Sequence, residues 1–246
     1  MDSYGSFALI YDEFMNVPYD KWANYIENIW NKNGLKPKLV LDMACGTASL
    51  TGILAKKGYD MIGIDESEDM LAIARAKCDN VLFLQQDICD FELYGTVDSI
   101  ISSCDSINYI IDEGELQNCF RLVNNYLNPG GIFIFDINSP YKYEKILADN
   151  TFAATDDKAA YIWENHYDSQ TKINEYALTF FIKSGTQGLY AKHEELHYQR
   201  AYEIDEIMQA IAKAGLKPLG IYGELTFGQP KKDCQRIFFV AQRSLV

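Results

Sequence analysis

Val40-Leu41-Asp42-Met43-Ala44-Cys45-Gly46-Thr47-Ala48-Ser49-Leu50 runs an apolar segment into a turn of small residues and on into a helical pattern. A short apolar run bounded by such a turn reads as a buried strand. Small residues let a ligand approach the backbone closely, and the helix start behind them offers free N–H groups. Asp42 stands at the carboxyl end of the strand, which is the edge where open α/β sheets bind ligands.

The same alternation continues downstream. Helical periodicity over 48–57 closes at Gly58, and a second strand follows over 59–64. A helix is expected over 66–77, strands over 81–86 and 97–102, and a helix over 113–127 that stops at Asn128-Pro129-Gly130-Gly131. A fifth strand occupies 132–137. Strands alternating with helices imply a parallel, doubly wound sheet. Upstream, Phe7, Ile10, Tyr11 and Phe14 share one helical face. Pro18 ends that helix, and Asp20 is the expected cap of a second one carrying Trp22, Tyr25, Ile26 and Ile29.

Beyond 150 the pattern changes. Residues 160–167, 173–183 and 189–198 are rich in Tyr, Phe, Thr and Ile and are separated by polar turns, so they read as antiparallel strands. A helix over 204–214 and strands over 218–222 and 236–241 then resume the first pattern. The expected fold is α/β: a Rossmann-like, doubly wound, mostly parallel seven-stranded sheet with an inserted small antiparallel β lobe and an N-terminal helical cap. Residues 1–138 and 203–246 form the ligand-binding α/β domain, with the cap at 1–34, and 139–202 form the inserted lobe, expected to cover the substrate.

Three acids mark the expected site. Asp42 precedes the turn, Asp65 ends the second strand in Ile62-Gly63-Ile64-Asp65, and Asp87 ends the third in Gln85-Gln86-Asp87-Ile88. An acid about 20 residues beyond the turn accepts ribose hydroxyls in nucleotide-binding α/β folds. Each acid alone could be a helix cap or turn former; their register with successive strand ends points to a nucleoside. The turn holds one glycine, not the G-x-G-x-x-G that seats a pyrophosphate on a helix N-terminus. Asp42 beside it favours a ligand with a cationic group.

These segments resemble the class I S-adenosylmethionine-dependent methyltransferase family, in its glycine and amino-sugar N-methyltransferase branch. Leu41 to Thr47 is similar to the first motif of that family, with Ala44 and Ala48 where glycine is more usual. Asp65 matches the ribose acid, Asp87-Ile88 the adenine contact, and Asn128 to Gly131 the loop before the fifth strand. The resemblance implies S-adenosyl-L-methionine as cofactor. It implies contacts from Asp42, Ala44, Cys45, Gly46, Asp65, Glu66, Met70, Asp87 and Ile88, and from Ser103, Cys104 and Asn108 after the fourth strand. It also implies that the opening Tyr4 to Asp12 covers the methionine end, with Tyr11 and Trp22 as candidates.

The resemblance leaves the acceptor open. The expected reaction is in-line displacement of a methyl group by an N or O nucleophile of a small molecule. His197, Tyr11 and Asp105 are the candidate catalytic residues. His193-Glu194-Glu195-Leu196-His197 matches H-E-x-x-H, which binds zinc only on a helix. Its tyrosine-rich surroundings favour a strand, with His193, Glu195, His197 and Gln199 on one face, so no metal site is expected. A nicotinamide-dependent oxidoreductase and a non-catalytic S-adenosylmethionine-binding protein stand as alternatives.

Bulk properties narrow the partners. The 246 residues, 48% hydrophobic, can bury a large core. A net charge of −13, with no dense Lys/Arg run, argues against nucleic acid; steering would favour cationic or neutral acceptors. The six cysteines contain no C-x-x-C pair and suit reduced thiols in a cytoplasmic protein. No signal peptide or membrane span is expected, and the protein is expected to act as a monomer or homodimer.

Overall fold

The computed structural model describes residues 17–184 and 188–245. The expected first helix and Tyr11 lie outside these residues. Helix α1 (Tyr19–Lys32) opens the described chain. It follows Pro18, and Asp20 sits inside its first turn rather than capping it. Its stripe of Trp22, Ala23, Tyr25, Ile26, Ile29 and Trp30 is buried, as the spacing requires.

Five strands alternate with three helices: β1 (Leu39–Met43), α2 (Ser49–Lys56), β2 (Asp60–Asp65), α3 (Glu68–Lys77), β3 (Leu82–Gln85), β4 (Val97–Ser102), α4 (Glu113–Tyr126) and β5 (Leu127–Asn138). A turn over Lys142–Leu147 leads into β6 (Thr151–Thr155), β7 (Ala159–Asp168), β8 (Ile173–Ser184) and β9 (Leu189–Arg200). Helix α5 (Ile204–Lys213) and strands β10 (Leu216–Gly223) and β11 (Arg236–Arg243) complete the chain.

The first sheet has seven strands in the order β10-β11-β5-β4-β1-β2-β3. Strands β1 to β5 pair in parallel, and β11 runs antiparallel to both of its neighbours. One face packs on α1 and α2 through Val40, Met61, Ile101, Ile134 and Phe238. The other packs on α4 and α5 through Leu41, Ile100, Phe133, Phe135 and Phe239. Trp30 Nε1 on α1 donates to Ser99 Oγ at 2.9 Å, which donates to Ile132 O at 2.8 Å, so the helix and two strands share one buried polar chain.

Asn128-Pro129-Gly130-Gly131 does not precede β5 but lies within it. The ladder to β4 steps from Val97↔Leu127 to Ser99↔Ile132, absorbing the four residues as an irregularity. Gly131 permits this, because a Cβ there would stand 2.8 Å from Asn128 O and 2.9 Å from Asp98 O.

The second sheet, β6-β7-β8-β9, is wholly antiparallel and is inserted between β5 and α5. Its edge strand β6 was not expected, because Thr-Phe-Ala-Ala-Thr carries no apolar alternation and stands largely in solvent. The sheet docks on α3 where Met70 meets Phe180.

Candidate active site

The β1–α2 turn takes left-handed backbone at alternate residues: Ala44 (φ 57°), Gly46 (φ 55°) and Ala48 (φ 61°). Glycine adopts this freely, whereas alanine does so at a cost. Cys45 N donates to Ile64 O at 2.9 Å, and Gly46 N donates to Asp65 Oδ2 at 2.8 Å, tying the turn to β2. Gly63 makes room for this contact: a Cβ there would lie 2.9 Å from Cys45 Sγ and 2.7 Å from Phe83. Beside Gly46 nothing lies within 4 Å of where a Cβ would stand. That space is part of a cavity of about 480 Å³.

Asp42, Asp65 and Asp87 all line this cavity. Asp42 is buried and accepts from Thr51 Oγ1 at 2.6 Å. Burial pushes its carboxyl up to about 7, against the Thr51 hydrogen bond and with help from Asp65. Burial also raises Asp65, opposed by the amides of Ser67 and Gly46. These two amides fix the carboxylate, one on each oxygen, at 2.9 and 2.8 Å. Ala44, Cys45, Gly46, Glu66, Met70, Ile88, Ser103 and Cys104 line the same cavity. The arrangement fits a ligand with a ribose and a cationic group: carboxyl groups stand at or just beyond three strand ends with no Lys or Arg in contact among the described residues, and burial makes Asp42 the one that gains most from a cationic partner.

The chain after β4 is held in a strained turn. Cys104 (φ 63°) and Asp105 (φ 58°) are consecutive left-handed residues. Their amides donate to the two oxygens of Asp136 at 2.9 and 3.0 Å. Arg236, at the start of β11, bonds Asp136 and also Asp105 Oδ1, the latter at 2.7 Å. Burial pushes the Asp136 carboxyl up, against the attraction of Arg236. Asp105 Oδ2 accepts from Gln199 Nε2 at 2.9 Å. Asp105 thus reaches the cavity with both oxygens engaged, by Arg236 and Gln199, which anchors the turn.

Three other expected site residues are not in the cavity wall. Trp22 packs on Phe238 with ring centroids 5.2 Å apart, and the Arg236 guanidinium stands 5.3 Å from its ring centre. It supports the wall from beneath. Asn108 is fully buried; it donates to Arg200 O at 2.8 Å and accepts from Asn138 N at 2.9 Å, joining the turn to β5 and β9. His197 is buried behind Tyr109, edge to face at 5.9 Å, with Nε2 3.1 Å from Glu195 Oε2. His193 and His197 both lie on β9. Four residues along a strand separate them by about 13 Å, so they cannot share a metal.

The lobe was expected to cover the substrate, but the side chains with which β7 and β8 do so were missed. Tyr161 and Trp163 from β7, and Tyr176, Leu178 and Phe180 from β8, face the cavity at alternate positions. Gln199 from β9 and Lys142 complete it. The period of two in Tyr161/Trp163 and Tyr176/Leu178/Phe180 was the available signal. Arg236 gave none, because its partners are distant in sequence, and Lys142 gave none, because a lone lysine after a strand reads as a solvated residue.

Comparison with known proteins agrees with this geometry. Residues 40–131 match a methyltransferase domain profile. A putative methyltransferase of Geobacillus sp. strain WCH70 is 37% identical, over 98% of this chain and 100% of its own. The dTDP-3-amino-3,4,6-trideoxy-alpha-D-glucopyranose N,N-dimethyltransferase of Streptomyces venezuelae is 30% identical over 60% of this chain and 62% of its own. The crystal structure of an S-adenosylmethionine-dependent methyltransferase from Clostridium acetobutylicum superposes with a TM-score of 0.89, at 33% identity, covering 98% of this chain and 99% of that one. With sequence and fold shared over their whole length with such relatives, the chain belongs to the class I S-adenosylmethionine-dependent methyltransferase family.

Proposed function

We propose that the protein transfers a methyl group from S-adenosylmethionine to a nucleophile, preferentially an amine nitrogen, of a small molecule bound against the second sheet. The observation that carries this reading is the continuity of one cavity from the acids at the ends of β1, β2 and β3 to the aromatic face of β7 and β8. When bound, S-adenosylmethionine supplies a methyl group on a good leaving group. The protein's part is then alignment and exclusion of water.

Asp65, held by two amides, would take the ribose hydroxyls, and Asp87 would face the base end. Asp42 would meet the cationic end, which favours its ionised form. The aromatic face closes over the acceptor, with Met70 against Phe180 as the joint. Among the described residues none of the expected bases is available: Asp105 is spent on Arg236 and Gln199, and His197 stands outside the cavity wall. An amine that arrives with its lone pair free needs no base, which favours nitrogen over oxygen. The N,N-dimethyltransferase relative supports the same preference.

The test is incubation with methyl-labelled S-adenosylmethionine and a panel of small amines and alcohols. Label is expected in at least one amine, with S-adenosylhomocysteine formed in equal amount. Tight S-adenosylhomocysteine binding without transfer to any amine or alcohol would contradict a catalytic role.

A further inference from the structure

Two donors in the cavity wall have capacity to spare, one with a single neutral acceptor and one with none. Lys142, in the turn after β5, places its ammonium 2.9 Å from Asn138 Oδ1. The nearby carboxylates of Asp105 and Asp136 are taken by Arg236. Among the described residues no carboxylate stands within ion-pair distance of Lys142. Burial presses its ammonium below the ordinary lysine range, opposed mainly by Asp105. On β7, the indole Nε1 of Trp163 is buried without a hydrogen-bond partner in the protein. A half-buried cation with no carboxylate in direct contact and a buried N–H without an acceptor both leave hydrogen-bonding capacity that a ligand can use. A ligand oxyanion would accept from each.

The two donors belong to one continuous wall. The Trp163 ring packs on Tyr176, with centroids 5.4 Å apart. Tyr176 Oη donates to Gln199 Oε1 at 2.6 Å, and Asn138 Nδ2 reaches the same oxygen at 3.5 Å. Asn138 Oδ1 then holds Lys142. This wall stands apart from the nucleoside acids. Strand order puts β5 three steps from β2, about 14 Å.

We propose that this end of the cavity is the acceptor subsite, that it selects acceptors bearing a carboxylate on a flat apolar or aromatic body, and that Lys142 determines that selectivity. The proposal rests on the methyltransferase reading and adds the substrate class to it. The chain's overall charge of −13 points the other way, but the charge that meets the ligand here is the local one. Tyr161, Tyr176 and Phe180 supply the apolar contact, and the cation supplies orientation.

The test uses para-aminomethylbenzoate and para-aminomethylbenzamide, titrated into the protein saturated with S-adenosylhomocysteine. The benzoate is expected to bind about tenfold or more tightly than the amide. Lys142→Met should erase the difference while leaving S-adenosylhomocysteine affinity unchanged, and Lys142→Arg should keep part of it. Equal binding of the two probes, or binding of neither, overturns the proposal. So does a Lys142→Met variant that loses affinity for S-adenosylhomocysteine, because the lysine would then hold the cofactor's own carboxylate. If Lys142→Met does not fold, the wild-type preference and Lys142→Arg decide. Failure of S-adenosylhomocysteine to bind wild-type protein would instead sink the methyltransferase reading.

Discussion

Asp42 shows how one residue links sequence, fold and ligand. It ends β1 because the strand must turn there, and it is buried because the sheet is covered on both faces. Its carboxyl is raised from 3.8 to about 7, chiefly by burial. The sign follows from linkage. The folded state keeps a proton that the unfolded state releases, so the group lowers stability as pH rises from 3.8 to about 7. The slope approaches about 1.4 kcal/mol per pH unit inside that window. Asp42→Asn is therefore expected to be more stable than the wild type near neutrality, with the difference shrinking as pH falls toward 4. Denaturant melts of both proteins at several pH values check this, and parallel pH profiles would contradict it. Asp42 was legible in the sequence because it sits in a local motif, strand then small-residue turn. Asp65 and Asp87 were legible from their register with the ends of the next two strands.

At the scale of elements, the turn after β4 matters most. Two consecutive non-glycine residues in left-handed backbone cost about 1–3 kcal/mol each. Asp136 repays part of this by accepting both amides, and Arg236 bridges Asp136 to Asp105. Asp136 exposes 0% of its side chain and Arg236 19%. Arg236→Met would leave two carboxylates close together without a counter-charge, a loss of about 3 kcal/mol. The expected result is a lower melting temperature, partly restored by adding Asp136→Asn. A single variant that melts with the wild type would contradict the clamp. None of this could be read beforehand. Asp105 and Arg236 are 131 residues apart, and a lone arginine before an apolar strand has no periodicity to announce its partner. The same limit explains why Asn108 and His197 were expected in the site: their polarity was visible, but not the buried joints that consume it. Lys142 was hidden for another reason: a single lysine in a connecting turn reads as an exposed residue.

At the scale of the whole molecule, two sheets divide the work. The seven-stranded sheet brings three strand-end acids to one edge, and the four-stranded sheet sets an aromatic face opposite them. Strand and helix periods made the first sheet readable almost in full, along with three strands of the second. Strand β6 escaped because an exposed edge strand has no apolar pattern to show. Among the described residues no helix is long and apolar enough to cross a membrane. The account stands on the claim that the edge of acids binds the nucleoside of S-adenosylmethionine, with Asp65 on its ribose. Calorimetric titration of S-adenosylhomocysteine into wild-type protein and Asp65→Ala tests that claim most directly. Saturable one-site binding is predicted, weakened at least about tenfold by the loss of hydrogen bonds to a charged acceptor. No binding to the folded wild-type protein, or equal binding to both, would contradict it.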